Sequence, residues 1–157
     1  MSGGGTEEPV LFNHVGHCVT DLARARRFYE EVLGFRYWWE MDVPDEGGAE
    51  RLLQLEAPLG LKAVYLVKGG FVLELLHYAT GGTRPVVRRH MNDPGFTHLS
   101  VAVADIPSVL EKVEAHGGEV LHDTDMGGTA VMLRDPDGQL IELTTHAFHQ
   151  GRPPWPV

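Results

Sequence analysis

The spacing of hydrophobic residues changes along the first fifty positions of the chain. Residues 11–20 alternate between apolar and polar side chains and are rich in strand formers, which predicts a β-strand. Residues 22–33 then show the three- and four-residue spacing of an amphipathic helix, with Asp21 placed as its N-cap and Gly34 as its C-cap. Residues 36–43 return to a strand pattern. The chain therefore opens with a predicted strand, helix and strand.

The same order of elements returns in the second half. A strand at residues 98–103 leads to Asp105, which is placed to cap a helix with Pro107 in its first turn that continues to residue 117. Further strands are predicted at residues 61–67 and 71–79 in the first half, and at 119–122, 130–134 and 139–145 in the second. Residues 135–138, Asp-Pro-Asp-Gly, predict a hairpin turn before the last strand.

The two halves are related by an internal duplication. His14 and His98 lie 84 positions apart, and each precedes an aspartate by seven positions. Glu74 and Glu142 lie 68 positions apart, and each follows a glycine by four. The first half therefore holds 16 additional residues, which we assign to the segment around residues 45–59.

The duplication also sets the predicted domain organisation. We expect a flexible N-terminal tail at residues 1–9 and a first module at 10–80. A linker at 81–95 leads to a second module at 96–147, and a C-terminal tail follows at 148–157.

The repeated residues include possible metal ligands. Side chains alternate faces along a strand, so His98 shares a small polar face with Ser100 and Ala102, opposite an apolar face. Two histidines and two glutamates form a ligand set suited to Zn, Ni, Co, Mn or Fe(II), with positions left for water or substrate. Each of these residues alone could be an ordinary strand-end or surface residue. Because they recur in register, we predict that four of them bind one divalent ion: His14, Glu74, His98 and Glu142.

Composition narrows the choice of partner. The chain has 22 acidic and 13 basic residues, a formal charge of −9, which disfavours nucleic acid and favours a small-molecule substrate. Its apolar stretches are far shorter than the roughly 20 residues of a membrane helix, so no membrane contact is expected. The first residues lack the basic start and apolar stretch of a secretion signal, and Cys18 is the only cysteine. A cytoplasmic location is expected.

These motifs resemble the vicinal oxygen chelate superfamily, which includes lactoylglutathione lyases, methylmalonyl-CoA epimerases, extradiol dioxygenases and bleomycin- or fosfomycin-resistance proteins. The resemblance covers roughly residues 12–145. It implies an α+β fold of two tandem βαβββ modules, whose curved mixed sheets enclose a metal cavity, and it maps the metal ligands onto the same four positions. The motifs that carry it are His14-Val15-Gly16, Thr20-Asp21-Leu22, Arg27-Phe28-Tyr29, Val32-Leu33-Gly34-Phe35, Thr97-His98-Leu99, Asp135-Pro136-Asp137-Gly138 and Ile141-Glu142-Leu143.

The resemblance implies a metal-dependent lyase, isomerase or epimerase acting on a small 2-oxo or thioester substrate. Glu142 would be the ligand that also serves as the base, with Glu74 as its symmetry partner. Cys18 stands where glutathione-dependent lyases tend to carry an arginine, so glutathione specificity is not expected. A homodimer is implied, with each site completed either within one chain or between two.

Two alternatives stay open. An Fe(II) extradiol dioxygenase needs only two histidines and one carboxylate, which would leave Glu74 a spectator. A drug- or metabolite-binding protein of the resistance type would need no catalytic ligand. Among the aromatic residues, we interpret Tyr37, Trp38 and Trp39 as core and rim packing, and Tyr65 and Tyr78 as candidates for the cavity wall.

Overall fold

A computed structural model describes residues 10–85, 87–88, 90–151 and 153. The predicted N-terminal tail, residues 1–9, lies outside this description, as do residues 152 and 154–157 of the predicted C-terminal tail. The first half contains β1 (Val15–Cys18), α1 (Leu22–Arg27) with a π-helical continuation (Phe28–Val32), β2 (Arg36–Asp42), a 3-10 turn (Asp45–Gly47), α2 (Ala49–Leu53), β3 (Leu61–Lys68) and β4 (Phe71–Tyr78).

The second half repeats the plan without a counterpart of α2 and ends in a helix of its own. It contains β5 (His98–Val103), α3 (Ile106–Val113) with a 3-10 turn (Glu114–His116), β6 (Glu119–Leu121), a further 3-10 turn (His122–Thr124), β7 (Ala130–Arg134), β8 (Leu140–Thr145) and α4 (His146–Gln150). In the described part of the chain, no helix is both long and apolar enough to cross a membrane.

Each half forms its own four-stranded mixed sheet, in the orders β1-β4-β3-β2 and β5-β8-β7-β6. The pairs β1–β4 and β5–β8 are parallel, and the other pairs are antiparallel. This arrangement confirms the α+β fold with two βαβββ modules. It also makes β1 and β5, the strands that follow or contain the candidate histidines, edge strands of their sheets.

The predicted strands agree with the observed ones except at β1, which is shorter than residues 11–20. Its parallel register pairs Val15 with Leu73 and Cys18 with Leu76. Since β4 begins at Phe71, residues 10–12 extend beyond the end of their only neighbouring strand. His14 therefore lies directly before β1.

The helices of the two modules do not end at equivalent positions of the repeat. Gly34 and Gly117 both have positive φ, +70° and +81°, and lie 83 rather than 84 positions apart. The π-helical segment adds the extra residue in the first module. Gly118, which lies 84 positions after Gly34, has a different role: a Cβ there would lie 2.6 Å from the Arg134 carbonyl oxygen and 2.7 Å from Phe28.

A single hydrophobic core joins the modules. The π-helical segment of the first module contacts α3 of the second, so the helices pack between the sheets. Phe28, Tyr29 and Val113 are fully buried at this contact. The inner sheet faces supply the rest of the core, including Leu66, Leu73, Leu75, Leu133, Ile141 and Leu143.

The buried carboxylate of Asp135 also links the modules. Its Oδ2 accepts hydrogen bonds from His17 Nε2 (2.7 Å) and the Tyr29 hydroxyl (2.9 Å). Its Oδ1 accepts the backbone N–H groups of Asp137 (2.9 Å) and Gln139 (2.8 Å) within the predicted turn. Burial alone would raise the pKa of Asp135, but the His17 interaction and these hydrogen bonds outweigh it and hold the pKa below 3.8.

We expect Asp135→Asn to reduce the free energy of unfolding by about 3 kcal/mol at neutral pH, because a buried charge network loses one partner. A carboxylate with a lowered folded-state pKa stabilises the protein above its unfolded pKa, and the stabilisation is lost as pH falls through the folded value. The gap between wild type and variant should therefore narrow on acidification, which denaturant unfolding at several pH values would measure. Asp105→Asn, at an exposed cap that makes no side-chain hydrogen bond, is the control. A gap that stays constant with pH would contradict the assignment.

Candidate metal centre

The first histidine and glutamate form a pair at the edge of the first sheet. The parallel register sets Gly16 beside Glu74, and a Cβ at Gly16 would lie 3.5 Å from Glu74 Oε2. The missing side chain leaves this carboxylate oxygen accessible from the β1 side. His14 Nε2 lies 3.0 Å from the same oxygen.

Tyr65 engages the other oxygen of Glu74. The two residues are register partners on β3 and β4, and the tyrosine hydroxyl donates a hydrogen bond to Oε1. Burial, followed by this hydrogen bond and the charge of Glu74, raises the pKa of Tyr65 to about 12, so the hydroxyl keeps its proton. Burial and the charges of Cys18 and Glu74 also raise the pKa of Tyr78.

The second histidine and glutamate form a looser pair in the second sheet. His98 Nε2 lies 3.9 Å from Glu142 Oε2, and the Ser100 hydroxyl donates to the same oxygen at 2.6 Å. Thr97 Oγ1 lies 2.9 Å from His98 Nδ1. Both contacts of Glu142 use Oε2 and leave Oε1 open among the described residues. The Glu142 side chain is 31% exposed, whereas that of Glu74 is 12% exposed.

The structure therefore brings the four predicted ligands together in two pairs. No group of three His, Cys, Asp or Glu side chains that could hold a metal occurs within the described residues of one chain. The donor atoms fit a divalent ion of borderline hardness, since each pair presents an imidazole nitrogen beside a carboxylate oxygen. Each pair nevertheless supplies two ligands, fewer than the three protein ligands of a typical catalytic zinc site. We call the pairs the first and second half-sites.

The aromatic residues of β2 lie at the rim of the fold and not in its core. Tyr37, Trp38 and Trp39 are exposed, and both tryptophans contact Tyr65 beside the first half-site. Strand parity could not place them because the register of β2 against β3 shifts between Tyr37 and Trp39. Parity did place Ser100 on the His98 face, but its bond to Glu142 depends on the pairing of β5 with β8.

Comparison with known proteins yields a consistent set of relatives. A family model described as Glyoxalase/Bleomycin resistance protein/Dioxygenase superfamily matches residues 11–143. A lactoylglutathione lyase of Arabidopsis thaliana is 31% identical over 136 residues, a match that covers 84% of this chain and 43% of that protein. The chain thus spans less than half the length of this plant relative. A 2-epi-5-epi-valiolone epimerase of an Actinomyces species is 30% identical over 154 residues, covering 91% of this chain and 83% of that protein.

A solved structure supports the same fold. A glyoxalase family protein from Bacillus cereus superposes with a TM-score of 0.74 at 20% sequence identity, and the match covers 89% of this chain and 96% of that one. At this identity the likeness concerns the fold alone.

Proposed function

Because the chain belongs to the glyoxalase/bleomycin resistance protein/dioxygenase superfamily, we propose that it is a divalent-metal-dependent enzyme. Its reaction moves a proton on carbon next to a carbonyl group of a small 2-oxo or thioester substrate, as a lyase, isomerase or epimerase. The observation that carries this proposal is the pair of half-sites, each with a histidine nitrogen facing a glutamate oxygen. The names of the relatives, lyase and epimerase, support the reaction class.

His14, Glu74, His98 and Glu142 would hold the metal ion. When bound, such an ion supplies Lewis acidity at a substrate oxygen. Glu142 is the better placed of the two glutamates to take the proton, because its Oε1 has no partner among the described residues and its side chain is the more exposed. Both oxygens of Glu74 are already engaged, by His14 and by Tyr65, which suits a residue that binds and orients.

The half-sites of one chain do not meet, so we propose that two chains complete the centre. In a homodimer with twofold symmetry, the first half-site of one chain can face the second half-site of its partner, and symmetry then generates two equivalent centres. Among the described residues, β1 and β5, which lie next to the two histidines, have no hydrogen-bonded strand on their outer edges. The dimer would thus be part of the site itself.

Metal analysis tests the proposal directly. Protein purified without chelator should contain about one divalent ion per chain, as two centres per dimer require. At free metal near 100 times Kd, EDTA should lower the free energy of unfolding by about 2.7 kcal/mol, measured by denaturant unfolding with and without the chelator.

Variants locate the ion. His14→Ala and His98→Ala should each lose it. His77→Gln should keep it, because His77 lies on β4 with its Nδ1 3.3 Å from the Val19 carbonyl oxygen, on the face opposite Glu74. Protein that contains no metal and is insensitive to EDTA would refute the proposal.

A further inference from the structure

Strand β2 carries a bulge that changes the direction of one tryptophan. Tyr37 pairs with Leu66 and Trp39 pairs with Tyr65, so Trp38 is an extra residue opposite the junction of these pairs. In a regular strand, Trp38 and Trp39 would point to opposite faces. Here both rings lie against Tyr65, while Tyr37 remains on the helix side beneath the Arg26 guanidinium, 4.4 Å from its ring centre. Bulges commonly re-aim side chains next to functional sites.

The three rings form two perpendicular surfaces. Trp39 stacks on Tyr65, with ring centres 4.3 Å apart and an angle of 1° between the planes. Trp38 stands nearly perpendicular to both, at 85° to Trp39 and 84° to Tyr65. Trp38 is 58% exposed and Trp39 is 38% exposed, so substantial ring surface is available to a ligand. We call Trp38, Trp39 and Tyr65 the aromatic corner.

The aromatic corner is continuous with the first half-site. The Tyr65 hydroxyl donates to Glu74, and the Tyr65 ring meets His14 edge to face with centres 5.8 Å apart. A ligand whose oxygens bind an ion held by His14 and Glu74 has a direct path along the Tyr65 ring to Trp38 and Trp39.

The second module lacks this feature. At the equivalent positions, β7 places Met132 opposite Glu142, and β6 places Leu121 opposite Met132. The modules share the same strand order and the same His–Glu pairing, so the fold itself does not require aromatic rings in this row. Their presence in one module alone points to ligand recognition rather than to a structural need.

We propose that the aromatic corner binds a planar aryl group of the substrate, and so selects aryl-bearing 2-oxo or 2-hydroxy compounds. This inference rests on the proposed metal-dependent function, which supplies the attachment point for the adjacent oxygens. Flat rings are suited to the corner because offset stacking on Trp39 and an edge contact with Trp38 are both favourable aromatic geometries.

A matched pair of chelating probes tests the inference. Acetohydroxamate and 2-naphthohydroxamate both bind a metal ion through adjacent oxygens, but only the second carries an aryl group. Calorimetric titration of the zinc-loaded protein should show that the naphthyl compound binds at least about tenfold more tightly, the scale of one or two aromatic contacts. Trp38→Ala and Trp39→Ala should each reduce this ratio several-fold and leave acetohydroxamate affinity unchanged.

Tyr37→Ala is the matched control, because Tyr37 is the neighbouring exposed aromatic residue of the same strand on the opposite face. It should leave the ratio unchanged. A metal-free measurement separates the two proposals: 2-naphthol should quench the tryptophan fluorescence of wild type and Tyr37→Ala, with a reduced effect in the tryptophan variants.

The outcomes are distinct. Binding of acetohydroxamate with no gain for the naphthyl compound would overturn the aryl inference and keep the metal centre. Naphthol quenching with no binding of acetohydroxamate would support the aryl surface and refute the metal centre. Absence of both signals would overturn both proposals. Tryptophan variants that alter the size-exclusion elution volume but not the affinity ratio would overturn the aryl inference by assigning the corner to a protein interface.

Discussion

A mixture of His14→Ala and His98→Ala proteins, unfolded together and refolded, is expected to bind about one quarter as much metal as wild type, although neither variant alone binds the ion. Each homodimer lacks a histidine in both of its centres. A mixed dimer, about half of the refolded population, has one centre with both substitutions and one centre with neither. Metal content per chain after gel filtration measures the recovery.

The same mixture separates the two possible locations of the site. A centre formed within one chain would gain nothing from mixing, because every chain carries a substitution, and metal content would stay at zero. Co-refolding His98→Ala with His77→Gln is the calibration: it should give about half of the wild-type metal content in either arrangement. Zero recovery beside a correct calibration would refute the dimeric site.

The repeated elements could be predicted because their signals are local. Residues 61–67 and 130–134 are short, largely apolar segments, and the observed strands Leu61–Lys68 and Ala130–Arg134 agree to within one residue. The Asp135–Gly138 turn is also confirmed, with the Gly138 N–H donating to the Asp135 carbonyl oxygen at 3.0 Å. Fixed φ preferences and side-chain acceptors specify such turns without help from the rest of the fold.

Irregular backbone could not be predicted in this way. The π-helical residue in Phe28–Val32 and the bulge at Trp38 each insert one position into a regular pattern, and no local sequence signal marks the insertion. Each shifts the residues that follow it: the helix of the first module ends one residue later in the repeat than that of the second, and Trp38 turns to the same face as Trp39. A period-based argument misses both features, because it assumes an unbroken period.

The arrangement of the candidate ligands could be predicted only in part. The structure brings His14 to Glu74 and His98 to Glu142 through the parallel pairs β1–β4 and β5–β8. The duplication gives each half one such histidine and one such glutamate, but it cannot say whether the two pairs meet, because that depends on how the modules pack. The core around Phe28 and Val113 and the buried Asp135 join the modules through their helices, and the histidine edges stay unpaired. Convergence of all four ligands on one ion therefore stays a prediction.

Glu142→Gln is expected to lower the rate of proton exchange by about a thousandfold, within the range that loss of a general base produces. An amide cannot accept the proton, and the Glu142 carboxylate has the open oxygen. Glu74→Gln should lose far less at saturating metal, because Glu74 is expected to bind and orient rather than to take the proton. Exchange of the carbon-bound hydrogen of a 2-hydroxy ketone into D2O, followed by NMR, measures the effect per metal-loaded site.

Normalising to bound metal is essential to this comparison, because both glutamates are proposed ligands and both substitutions should weaken metal affinity. Ser100→Ala is a useful third variant: it removes the 2.6 Å hydrogen bond to Glu142 Oε2 but leaves the carboxylate in place. It should retain most of the exchange activity if the carboxylate itself is the base. The reverse asymmetry, with Glu74→Gln inactive and Glu142→Gln active, would assign the base to the first half-site. The aryl substrate would then meet its proton acceptor beside Tyr65, on the same module as the aromatic corner.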